Sequence, residues 1–209
     1  MAIRPELISL RQNSSQVAFQ VALPDGQSLC FRPLAPADAA LLGGYFTGLS
    51  TATQDLYRPH EFTHAVAEDL CSRIEHDPTL RMVAVTQDRA PAEIAGYFLL
   101  NCEIADSDVQ RYAGYGLALN ERTDCRFAPS VADRYQNTGL GSLLMPPCLA
   151  VAQRLGYQRL ILLGGVYMTN ARAVRFYTKN GFRQVGAFSL RGHGPDSFDM
   201  ILTLNEPGP

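Results

Sequence analysis

Residues 131–142 read Val-Ala-Asp-Arg-Tyr-Gln-Asn-Thr-Gly-Leu-Gly-Ser, at the end of an apolar run and ahead of a helical pattern. Gly139 and Gly141 let a ligand approach the main chain closely. A turn that opens a helix also aims free N–H groups and the positive end of the helix dipole at whatever sits there. That is the chemistry of anion binding, pyrophosphate above all, and it needs few cationic side chains. The stretch is not a P-loop, because no Gly-Lys-Ser/Thr follows, and not a dinucleotide fingerprint, because the third glycine is absent. An ordinary Gly-rich strand-to-helix turn has the same composition, so these residues alone leave both readings open. No metal site is expected. The five cysteines (Cys30, Cys71, Cys102, Cys125, Cys148) are scattered, without zinc or redox spacing. They read as reduced core thiols of a cytoplasmic protein.

Charge sharpens the anion reading. The net charge of the 209 residues is −2, but residues 126–183 carry eight basic residues and one acidic, Asp133, or +7. Residues 1–125 carry nine basic and sixteen acidic, or −7, and the last 26 residues carry one and three, or −2. Such asymmetry points to a local anion site, or to arginines that merely solvate helix faces. Nucleic acid is not expected as the partner, since the arginines are spread over several elements without a cationic recognition helix. The chain has no apolar run of about 18 residues to span a bilayer. Its start lacks the cationic and apolar regions of a signal peptide. The low charged fraction, 18%, implies apolar surface to be covered and allows a homodimer.

The elements that must position the turn follow from periodicity. Residues 17–22 and 29–34 alternate around Pro24-Asp25-Gly26 and predict a hairpin. Pro36 opens a first helix to about Leu49, and residues 63–75 a second, with Val66, Leu70 and Ile74 four apart. Strands are expected at 81–86, 93–100 and 126–131, a buried one at 159–163, and two more near 182–190 and 198–204, joined through residues 191–195. Residues 104–124 are polar and read as a loop or insertion. Helices are expected from Gly139 to Gly156 and over residues 170–180, the latter capped by Asn170 and closed by Gly181. A strand–helix–strand passage across 126–163 requires a parallel pair, while the hairpins are antiparallel. The expected fold is α/β: a mixed, mostly antiparallel sheet of about seven strands with helices on both faces. A single domain is expected over 1–209, with a core at about 28–204 and an N-terminal strand extension, 1–27.

At this point the chain resembles a known family. Gln136-Asn-Thr-Gly139-Leu-Gly141 after a strand ending in Val131 is similar to the acyl-CoA-binding motif of the GNAT N-acetyltransferases. Asn170-Ala-Arg-Ala-Val-Arg-Phe176-Tyr177-Thr-Lys-Asn-Gly181-Phe182 resembles the family's second signature. Phe31-Arg-Pro-Leu-Ala-Pro-Ala-Asp38 and Asp199-Met-Ile-Leu-Thr-Leu resemble its first and last strands. The resemblance implies a GNAT-like fold whose central parallel pair is splayed for CoA, and acetyl-CoA as co-substrate. Val131 would offer backbone groups to the pantetheine arm. Gln136, Asn137, Thr138, Gly139, Leu140, Gly141 and Ser142 would hold the pyrophosphate, and Asn170 would touch the cofactor arm. A small-molecule or peptide primary amine would attack the thioester directly, with Tyr177 as general acid on the leaving thiolate. A tyrosine suits that role, since its ordinary pKa of about 10 keeps it protonated at neutral pH. Arg134, Arg172, Arg175 and Lys179, the only lysine, are candidates for the 3′-phosphate.

Two features depart from the family pattern. Pro146-Pro147 falls inside the helix after the turn and predicts a kink or break there. The position where many relatives carry a basic glutamate is Arg126. Glu103 is then the expected general base, with Asp106, Glu121, Asp124 or water as alternatives. Residues 56–60 are expected to wall the acceptor side, with His60 and His64 near it or simply packed. Loss of the usual carboxylate also fits a module that binds acyl-CoA as a sensor or scaffold without catalysis.

Overall fold

The structure, a computed structural model, describes residues 4–13, 17–88, 90–189, 194 and 196–204. The fold is mixed α/β and mostly antiparallel, with nine strands among the described residues where about seven were expected. No helix among them is long and apolar enough to cross a membrane. The described residues of Met1–Leu99 with Pro129–Cys148 form one compact unit, and those of Leu100–Ala128 with Leu149–Pro209 another.

In the first unit, α1 (Pro5–Gln12) precedes β1 (Phe19–Ala22) and β2 (Ser28–Pro33). The latter two form the expected hairpin, pairing Phe19 with Phe31 and Val21 with Leu29. The N-terminal extension, expected as a strand, thus also carries a helix. Leu7 and Leu10 bury one side of it, and Arg11 anchors it by donating to the Asp77 and Thr79 carbonyls at 2.7 and 3.0 Å. α2 (Ala39–Gly48), α3 (Thr51–Leu56) and α4 (His64–Ser72) follow. Ser50 and Thr63 cap α3 and α4, each accepting from the backbone N–H three residues on. Then come β3 (Thr79–Thr86), antiparallel to β2, and β4 (Ile94–Asn101). Every residue of β3 is buried, as in a strand covered on both faces. The core holds Phe31, Leu42, Phe46, Tyr97 and Phe98, all fully buried.

In the second unit, α5 (Asp106–Gly114) occupies the segment expected as a loop. Ile104 and Tyr112 join Ile161 and Ile201 in a buried cluster flanked by Tyr115, Leu117, Leu119 and Val185. β5 (Asp124–Val131), whose residues up to Ala128 belong to this unit, and β6 (Arg159–Leu162) are the parallel pair, in register from Asp124–Arg159 to Phe127–Leu162. β7 (Val166–Tyr167), β8 (Arg183–Phe188) and β9 (Ser197–Thr203) complete the strands, and β6, β7 and β8 all pair antiparallel with β9. α7 (Ala171–Lys179) lies between β7 and β8. Apart from Gly194, the expected joining loop 191–195 lies outside the described residues.

Of the kink or break expected at Pro146-Pro147, no break occurs. α6 (Leu140–Arg154) runs unbroken with both prolines inside it. The prolines deprive the Ser142 and Leu143 carbonyls of their usual partners four residues on. Pro146 and Leu143 are exposed and Ser142 and Pro147 half-buried, so this side of the helix is open to solvent, where water can hydrate the freed carbonyls.

Candidate active site

The turn after β5 is built as its sequence requires. Asp133–Tyr135 make a 3₁₀ turn, and Gln136 is extended. Asn137 and Gly139 have φ of +64° and +89°, the left-handed region that asparagine and glycine tolerate best. Asn137, Thr138 and Gly139 are exposed, and α6 starts immediately after them. Its first-turn N–H groups have no intrahelical partners by construction. Thr138 braces the bend: its hydroxyl donates to the Tyr135 carbonyl at 2.7 Å and accepts from Leu140 N–H at 3.4 Å. Leu140, Leu144 and Cys148 recur every four residues on the buried side. A Cβ on Gly96 of β4 would come within 2.8 Å of the Leu144 side chain, which packs directly over this glycine.

Val131 and Gln136 are brought into direct contact. The Gln136 amide donates to the Val131 carbonyl at 3.1 Å and to the Thr53 hydroxyl at 3.2 Å. Its side chain therefore staples the turn from within. Arg134 is ion-paired with Glu93, which also accepts from the Tyr135 hydroxyl at 3.0 Å.

The segment expected as an acceptor wall carries an aromatic cluster. Tyr57 stacks on Phe62 at 5.9 Å, and His60 packs against Phe46 and Phe62 at 4.8 and 5.2 Å. Arg81 Nε donates to the Tyr97 oxygen at 3.1 Å, which directs the Tyr97 proton to His60 Nε2, also at 3.1 Å. His60 Nδ1–H then donates to the Glu61 carbonyl at 2.8 Å. Burial lowers the pKa of His60, in keeping with this neutral form. His64 lies against Gly43, where a Cβ would overlap its ring. In the same unit, the buried Tyr45 hydroxyl shares a 2.7 Å hydrogen bond with Ser130 on β5.

In the second unit, Asn170 caps α7 as expected, its side-chain oxygen accepting from Ala173 N–H at 3.1 Å. The helix closes at Gly181, φ +88°. Phe182 N–H returns to the Tyr177 carbonyl at 3.0 Å and Gly181 N–H to Thr178 at 3.1 Å, the paired bonds of a Schellman motif. The ring contact that accompanies such motifs is Phe182 on Tyr177, edge-on at 5.3 Å, and Phe182 in turn stacks on Phe127 of β5 at 5.9 Å. Tyr177 is thus fixed by the local rules that end its own helix. Burial holds its phenol well above the ordinary tyrosine value. Arg172, Arg175 and Lys179 are exposed along α7.

The carboxylates divide. Glu103 is exposed just past β4, its N–H bonded to the Asn101 side chain at 2.9 Å. Asp106 and Glu121 are exposed. Asp124 is fully buried and consumed: Arg159 engages both its oxygens at 2.6 Å, and Asn120 N–H donates at 2.6 Å. Arg126 is ion-paired through Nε with buried Asp108 at 2.8 Å. Asp108 also holds Arg111, which clamps buried Asp199 at 2.6 and 3.0 Å and lies 4.0 Å over the Phe188 ring. Sequence reasoning missed this network, because its anchor Asp108 sits in a segment too polar to suggest a buried helix.

The sequence pattern of the Acetyltransferase (GNAT) family matches residues 53–182, more than half of the chain. The chain belongs to the GNAT acetyltransferase family. That places it among the acyl-CoA-dependent acetyltransferases in general. It is similar to Acetyltransferase PA5475 of Pseudomonas aeruginosa, 27% identical over 142 residues, or 66% of this chain and 67% of that one. Among solved structures, the GNAT domain of S. lividans PAT matches with a TM-score of 0.67 at 19% identity, covering 91% of this chain and 98% of that one. The Vibrio cholerae spermidine N-acetyltransferase, in complex with CoA and spermine, matches with a TM-score of 0.62 at 18% identity, covering 85% and 96%. At these identities the structural likenesses establish the fold.

Proposed function

We propose that this GNAT protein transfers an acetyl group from acetyl-CoA directly to a primary amine. The observation that carries the cofactor reading is the exposed turn Asn137-Thr138-Gly139, with two left-handed residues, at the open N-terminus of a fifteen-residue helix. Residues 136–142 would receive the pyrophosphate on backbone N–H groups and the helix dipole. In this reading Gln136 acts by shaping the turn, and Val131 and Asn170 offer backbone and amide groups to the pantetheine arm. Acetyl-CoA complexes are known for structural relatives, among them Salmonella typhimurium yncA.

In the reaction, the neutral amine nitrogen attacks the thioester carbonyl. A backbone N–H near Val131 steadies the oxyanion. The C–S bond then breaks, and the Tyr177 hydroxyl gives its proton to the departing thiolate. The proton lost by the amine goes to water or to Glu103, whose carboxylate is open to solvent. A second reading, an acyl-CoA sensor without catalysis, is favoured by one observation: the two groups at the start of β5, Asp124 and Arg126, are both tied up in ion pairs.

Incubation with acetyl-CoA and a mixture of amines, peptides and proteins tests the proposal. Free thiol should appear, and mass spectrometry should show products heavier by one acetyl group. CoA binding with no thiol release on any amine would establish the sensor instead.

A further inference from the structure

Asp133 is the one acidic residue in the strongly basic stretch 126–183, and its carboxylate is engaged by the start of α3. Its Oδ2 accepts Ser50 N–H at 2.9 Å, and its Oδ1 accepts the hydroxyls of Ser50 and Thr53, each at 2.7 Å. Thr53 Oγ1 accepts the Gln136 amide in turn, and the same amide reaches the Val131 carbonyl. A closed polar circuit, Asp133–Thr53–Gln136–Val131, therefore spans the bend by which β5 becomes α6.

Both partners need this circuit. α3 is six residues long and buries only Thr53, so it has no apolar face to hold it and is too short to stand alone. The turn carries Asn137 in the left-handed region, a conformation that persists where its surroundings hold it. Burial works against the Asp133 carboxylate, but the bonds from Ser50 and Thr53 keep its pKa below the usual range.

We infer that Asp133 is a positioning residue for the cofactor turn. By stapling the start of α3 to residues 131–136, it sets the turn's geometry, so that CoA affinity depends on a carboxylate that does not touch CoA. This rests on the reading that residues 136–142 receive the pyrophosphate.

The test uses the full chain and CoA itself as probe, with affinity measured by calorimetry at a temperature where circular dichroism shows every variant folded. Asp133→Ala and Thr53→Val, which keeps the shape of Thr53 but removes its hydroxyl, should each raise the CoA Kd by about fivefold or more. The double variant should be no more than about twofold worse than the weaker single, because both cut one link. With acetyl-CoA, KM should rise while kcat at saturation is kept, a split that a general loss of stability would not produce. If both folded single variants bind CoA as wild type does, or if their effects multiply in the double variant, the staple is overturned. Wild-type protein that fails to bind CoA would overturn the turn's reading, and the staple with it.

Discussion

Tyr177→Phe separates chemistry from structure more cleanly than any other substitution in this protein. The ring is wedged edge-on between Phe176 and Phe182, at 5.4 and 5.3 Å, and both contacts survive in phenylalanine. Among the described residues the hydroxyl bonds to no side chain or carbonyl, so its removal breaks no hydrogen bond among them. Stability should therefore change by less than about 1 kcal/mol, the net worth of an ordinary hydrogen bond. In the proposed mechanism the thiolate, in contrast, loses its proton donor. General-acid catalysis typically contributes about 10²–10⁴-fold, so turnover should fall at least tenfold, or about 1.4 kcal/mol of transition-state stabilisation. CoA release is followed with a thiol reagent at saturating acetyl-CoA, and urea midpoints and the CoA Kd are measured in parallel. Turnover within about twofold of wild type would remove Tyr177 from the mechanism. A stability loss above about 2 kcal/mol would show instead that the hydroxyl is structurally bonded.

Other outcomes follow from the same geometry. Because burial raises the Tyr177 pKa, the protonated acid persists to higher pH than an ordinary tyrosine. The rate should thus climb as the amine deprotonates, with no falling limb near pH 10; such a limb, absent in Tyr177→Phe, would contradict this. Asp38 is buried, which by itself would raise its pKa, but two Arg32 bonds at 2.6 and 2.8 Å and Ala35 N–H hold it below the usual range. Its stabilisation is full above about pH 4 and is lost as pH falls through the depressed value. Urea midpoints at pH 7 and pH 3 should therefore differ less in Asp38→Asn than in wild type, with a cost of about 1–3 kcal/mol at pH 7. At Gly186 a Cβ would overlap the Tyr115 ring, whose hydroxyl donates to Asp199 at 3.0 Å. Gly186→Ala should lower stability by about 1–3 kcal/mol, read by thermal unfolding; an unchanged Tm would mean that the ring moves freely.

What could be read from the sequence was what repeats or punctuates. The hairpin at 19–33, the capped helices at 64–72 and 171–179 and the parallel pair all announce themselves by alternation, caps or closing glycines. α5 does not, because its buried side recurs as Ile104, Asp108 and Tyr112, and the middle member is a carboxylate. An apolar period is invisible when an ion pair replaces one of its residues. α3 is hidden for a related reason: Ser50-x-x-Thr53 is a fair start signal, but its partner Asp133 lies eighty residues away. Pro146-Pro147 misleads in the other direction as to a break. A local rule predicts a break, yet the apolar stripe Leu140, Leu144, Cys148 continues through the prolines and α6 stays continuous. The motif glutamine shows the finer limit. Sequence placed Gln136 at the site, and only the structure turns its amide inward onto Val131.

The placement of carboxylates bears on where the amine's proton goes. Both oxygens of Asp124 are engaged, by Arg159 and Asn120, and removing its charge would leave Arg159 without its ionic partner. Arg126 cannot act as a base, and its charge is already answered by Asp108, which Arg111 shares. These ionised groups are balanced against one another, two arginines against Asp108 and Asp199. A base drawn from this network would have to break a buried pair at a cost of several kcal/mol. The proposed mechanism therefore gives the proton to water or to a solvent-exposed carboxylate such as Glu103. It follows that the acidic limb of the rate profile should track the pKa of the acceptor, moving when the amine is changed and staying put when Glu103 is replaced by Gln. A limb fixed across amines of differing pKa would place a dedicated base within the protein after all.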